Sequence, residues 1–159
     1  MFKRVFTLML VVTGLTVTTV TAQEAPSPEQ LAVGAAETRQ AVFKLFAFNM
    51  GTISGMARGT VDFDAAIAER NARRIAAMAP MIPELFAARD TRGFTVETEA
   101  LPIIWDNMNE FQEKAANLVA AANTFADVAA AGDRMQTIGA VRAFGGTCGN
   151  CHETFRVDD

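Results

Sequence analysis

Residues 104–125 read IWDNMNEFQEKAANLVAAANTF. Ile104, Met108, Phe111, Ala115, Leu118, Ala122 and Phe125 step through this stretch by 4, 3, 4, 3, 4 and 3. That is an a/d seam, the spacing with which one helix lies almost parallel to its neighbours in a bundle. The rest of the composition agrees. Alanine is abundant, there is one Trp and no Tyr, and half of the 159 residues are apolar. Such a chain favours helices over a sandwich or barrel.

Working outward from the seam, Pro102 stands near the start of this third helix and Gly132-Asp133 marks a tight turn after it. Asp133 suits the N-cap of a fourth helix reaching about Arg156 through Met135, Ile138, Val141 and Phe144. Upstream, Ser27-Pro28 opens a long first helix that runs to Ala57 and ends at Arg58-Gly59. Phe43, Phe46, Met50 and Ile53 share one of its faces. Asp62 or Asp64 caps a second helix, whose narrow apolar face of Ile67, Ala68, Ala72, Ile75, Ala76 and Ala79, mostly small side chains, lets a neighbour approach closely. Pro80 and Pro83 stop it, and residues 80–103 read as the longest irregular stretch. Four helices with short turns predict an all-α, antiparallel four-helix bundle over residues 23–159.

Residues 1–22 stand apart. Lys3 and Arg4 precede an apolar run from Val5 to Val20, and Val20-Thr21-Ala22 offers small residues for cleavage. This predicts a secretory signal peptide and a periplasmic mature protein without a membrane span. Its removal takes two basic residues and no acidic one, leaving 12 Lys and Arg against 18 Asp and Glu, a formal charge of −6. That balance argues against nucleic acid or an anionic membrane as partner.

The chemistry is concentrated in Cys148-Gly149-Asn150-Cys151-His152, a C-x-x-C-H motif. On a helix, spacings of three and four put Cys148, Cys151 and His152 on one face. Two thioether bonds then fix one haem c, and His152 reaches its iron as the axial metal ligand. A thioredoxin-type pair wants a βαβ context, and a structural zinc site wants four ligands where the chain supplies two Cys and one His. Gly145-Gly146 precede the motif, and a haem plane close to the backbone would justify their cost of about 1–2 kcal/mol in a helix. With a single His, bis-His ligation within one chain is excluded. Six methionines remain after the leader, and spacing leaves the sixth position open.

The C-terminal C-x-x-C-H, the long first helix with Arg39-Gln40, and Pro102-x-Ile104-Trp105 resemble the cytochrome c′ family over essentially the whole mature chain. The resemblance implies that Phe43, four residues after Arg39, faces the iron, which is then five-coordinate and high-spin. It implies that Arg39, Gln40 and Glu99 lie at the haem edge, with Arg156 one turn past His152 on the proximal side. Met50 shares Phe43's face but lies about 10 Å further along the axis. The implied function is electron transfer, binding of nitric oxide or carbon monoxide, or both, with redox proteins as partners and a homodimer through the first two helices. The alternative is a low-spin, His/Met-ligated electron carrier of the cytochrome c-556 type. An enzyme, such as a weak peroxidase, is disfavoured because an apolar distal face lacks a general base.

Overall fold

A computed structural model describes residues 24–157; the leader expected over residues 1–22 lies outside them. Six helices are present among the described residues. They are α1 (Pro28–Arg58), α2 (Ala65–Met78), α3 (Met81–Ala87), α4 (Ile103–Asp106), α5 (Met108–Ala130) and α6 (Arg134–Phe155). None of them is long and apolar enough to cross a membrane.

The helix ends follow the local chemistry. Ser27 Oγ accepts the Gln30 N–H at 3.2 Å while the Gln30 side chain accepts the Ser27 N–H, a complete capping box with Pro28 behind it. Gly59 closes α1 at φ 72°, in the left-handed region. Asp64 and Asp133 cap α2 and α6, accepting the N–H of Ile67 and of Gln136, each at 2.9 Å.

The four long helices make the antiparallel bundle. Two apolar clusters fill it. Near one end, Ile53 and Met56 of α1 meet Ala68, Ala72 and Ile75 of α2, Ala122, Phe125 and Ala129 of α5, and Phe144 of α6. Near the other, Phe86 of α3, Ile104 of α4, Phe111 and Ala115 of α5 and Phe155 of α6 come together with Ala79. Passing from one cluster to the other, α2 and α6 ascend in residue number while α5 descends, which fixes their directions. The α5 seam is buried as its spacing required, with Ile104, Phe111, Ala115, Ala122 and Phe125 inside and Met108 and Leu118 partly so.

Three expectations are corrected. Residues 81–87 are helical rather than irregular. Pro83 is the third residue of α3, where its missing N–H would have had no intrahelical partner, so Pro80 and Pro83 turn the chain from one helix into the next. The third helix breaks at Asn107 (φ −120°, ψ 41°), which separates α4 from α5 while the seam continues across it. Met135 is 85% exposed; Thr137, whose hydroxyl bonds back to the Asp133 carbonyl, takes the buried place at the start of α6. The alanine stripe of α2 packs inside, against α5.

Candidate haem site

Cys148, Cys151 and His152 lie in the last two turns of α6. Both thiols are free and half-buried. Burial pushes both above the ordinary cysteine range, opposed at Cys151 by Lys114. A redox-active C-x-x-C pair is favoured by a lowered thiol value, the opposite of the direction that burial imposes here. Among the described residues no three His, Cys, Asp or Glu side chains converge as a metal cluster. Burial, then the nearby Arg156, holds the His152 imidazole below the ordinary histidine value, with Glu99 opposing. That direction favours the neutral ring, the form with a lone pair to donate.

The facing helix is α1. The Met50 methyl lies 3.5 Å from where a Cβ on Gly145 would sit. Gly145, Cys148 and His152 are three and then four residues apart, so the face that meets α1 at Gly145 also carries Cys148 and His152. Since α1 and α6 run in opposite directions, seven residues back from Met50 and seven on from Gly145 arrive at one level, about 10 Å along the axis. Those residues are Phe43 and His152. The Phe43 ring is 39% exposed and 6.0 Å from Phe46. Contact between α1 and α6 is sparse compared with the close packing of α5 on α2 and α6. A Cβ on Gly146 or Gly149 would meet nothing within 4 Å. The donor set and the loosely packed, apolar α1–α6 boundary fit a covalently held haem.

The other residues singled out in the sequence gather around residues 85–101. Arg39 is 4% exposed. Its Nε and Nη2 donate to the Leu85 carbonyl at 3.2 and 3.1 Å, Nη2 also to the Arg89 carbonyl, and Nη1 to Thr91 Oγ1 at 3.4 Å. The guanidinium lies 4.3 Å from the Phe86 ring centroid and 5.4 Å from that of Trp105. Four of its five N–H groups thus serve the C-terminal end of α3 and the chain just after it. Trp105 donates from Nε1 to the Phe86 carbonyl at 3.0 Å, and Arg92 lies 5.8 Å from its ring centroid. Gln40 Nε2 donates to the Glu97 carbonyl at 2.6 Å. Glu99 and Arg156 form an ion pair at 2.7 Å. Sequence reasoning missed Thr91, the buried hydroxyl that accepts from Arg39, and Lys114, whose Nζ donates to Asn150 Oδ1 at 2.5 Å inside the C-x-x-C turn. Neither carries a local signal, because each partner is more than 30 residues away.

A four-helix bundle ending in C-x-x-C-H defines a c-type haem cytochrome of the bundle class. The family profile of cytochrome c′ matches residues 34–156. Cytochrome c-554 of Cereibacter sphaeroides is 35% identical over 139 residues, 87% of this chain and 88% of the relative. Cytochrome c′ of Pararhodospirillum photometricum is 36% identical over 120 residues, covering 76% and 94%. The solved structure of cytochrome c′ from Shewanella frigidimarina superposes with a TM-score of 0.70 at 32% identity, covering 80% of this chain and 97% of that one. The chain belongs to the cytochrome c′ family, haem c proteins of electron transfer.

Proposed function

We propose that this chain is a periplasmic cytochrome with a single haem c held by Cys148 and Cys151, an iron ligated by His152, and an open sixth position behind Phe43. The observation that carries the reading is the approach of Met50 to Gly145, its methyl 3.5 Å from where a Cβ there would sit. In antiparallel helices that approach supports a register with Phe43 at the level of His152 and Met50 about 10 Å away along the axis. Bound there, haem supplies a one-electron redox couple and an iron able to bind a diatomic gas such as nitric oxide or carbon monoxide. Cys148 and Cys151 hold the group at one edge. His152, whose neutral form is favoured, would ligate the iron from α6. Phe43 stands where an entering ligand meets the protein, so the cost of displacing its ring limits affinity. Its side chain has no proton to give or take, which favours binding and electron transfer over turnover. Arg39 shapes the haem edge chiefly through the segment it holds, with one N–H left for a propionate, while Gln40 and Glu99 stand on the same border.

The mature chain is read as residues 23–159, exported by the leader over residues 1–22. A homodimer is proposed through the outer face of α1, where Leu45 and Phe48 are 51% and 67% exposed. Sedimentation of the holoprotein tests that point. The central test is the visible spectrum, ferric and ferrous, with and without carbon monoxide. A high-spin spectrum that changes with the gas is expected. A low-spin spectrum untouched by carbon monoxide would mean a Met ligand and refute the open position.

A further inference from the structure

The chain between α3 and α4 is tied down at successive points that lead from α1 to the last turn of α6. Arg39 holds residues 85–91, Glu29 accepts the Thr95 N–H at 3.1 Å, and Gln40 donates to the Glu97 carbonyl. The final tie is the most elaborate. Leu101 N–H donates to the Phe155 carbonyl at 3.0 Å, Val157 N–H to the Glu99 carbonyl at 2.8 Å, and Arg156 Nε to Glu99 Oε2 at 2.7 Å. Arg156 N–H in turn closes α6 on the His152 carbonyl at 3.0 Å.

The last turn of a helix frays unless its free carbonyls find partners. Here the Phe155 carbonyl finds one in Leu101, and residue 99 holds the next two residues, Arg156 and Val157. The Glu99 and Arg156 side chains are 62% and 36% exposed, so their pairing adds little to overall stability. What it adds is direction, because it fixes the bridge between Ala100 and Arg156 to the one helical turn that carries His152.

We infer that Glu99 is a positioning residue for His152: by latching Arg156 and the 99–101 segment onto the end of α6, it sets the orientation from which the imidazole meets the iron. This rests on the reading of His152 as ligand. Glu99 acts through the helix end, so its effect needs no contact with haem.

The test uses the holoprotein, E99Q, and the charge-swapped E99R/R156E pair. Amide hydrogen exchange at Leu101 and Val157 and the ferrous iron–histidine stretching band are measured for each. In E99Q, exchange at those two amides should rise roughly two- to fivefold, the range open to an exposed ion pair. The stretching band should shift or broaden, and the unfolding midpoint should stay put. The swapped pair should restore both readouts. An iron–histidine band unchanged in E99Q overturns the inference, as does unchanged exchange. A wild-type protein that shows no such band overturns the His152 assignment itself, which separates the two failures.

Discussion

Replacing Arg39 by Ala is expected to cost far more than an ordinary helix-surface change. The guanidinium is buried and donates to two main-chain carbonyls and the Thr91 hydroxyl while stacking on Phe86. A hydrogen bond to a charged group contributes about 1.5–3 kcal/mol. A desolvated cation–π contact adds about 0.5–2 kcal/mol. These terms share one side chain and do not sum. Burial also disfavours the cation, lowering the Arg39 pKa with Asp90 opposing, and that penalty disappears in the variant. The remainder is about 3–5 kcal/mol, typical of removing one partner from a buried, charged network. For a domain of this size that lowers the melting temperature by about 10–15 °C. Arg39→Lys keeps the charge but loses the fork that spans Nε and Nη2, and should lose about half as much. Urea unfolding of the holoprotein, followed by far-UV circular dichroism, reads both. A loss below about 1 kcal/mol in Arg39→Ala would refute the clamp, since a solvent-facing arginine costs that little.

Gly59→Ala has open space for its methyl group, so only the left-handed backbone resists it; thermal unfolding should show a loss of about 1 kcal/mol. Phe43→Ala should speed carbon monoxide binding in stopped-flow mixing, whereas Met50→Leu should leave the visible spectrum unchanged; a spectrum that turns high-spin only in Met50→Leu would make Met50 the ligand. The Arg92 side chain, beside Asp90, holds that carboxyl below the ordinary aspartate value. Because the folded-state value is lowered, the pairing stabilises the 90–106 segment fully above about pH 4 and is lost as pH falls through the lower folded value. Limited proteolysis of that segment should therefore accelerate below about pH 4 in the wild type, while Asp90→Asn should be cleaved at the fast rate throughout.

Local chemistry was enough for much of this protein. The α5 seam, the Ser27, Asp64 and Asp133 caps and Gly59 are each decided by residues within one or two turns, and so they were readable in order along the chain. The C-x-x-C-H motif is equally local, since helical spacing alone brings its three side chains to one face. Segments whose fate depends on distant partners were not readable this way. Pro80 and Pro83 suggest a stop, yet α3 forms because its first turn tolerates proline and Phe86 has a cluster to enter. Met135 fits the α6 spacing but falls beyond the bundle's reach. Arg39 looked like a surface cation at the haem edge until residues 85–91 folded back over it. The sequence by itself determined a helical bundle with a haem-attachment motif at its end. Only the tertiary structure decided where Met50 meets α6, beside Gly145, and the tie between Glu99 and Arg156. Both depend on how antiparallel helices and a returning loop slide past one another, and side-chain packing across the bundle, rather than the pattern within one helix, sets that position.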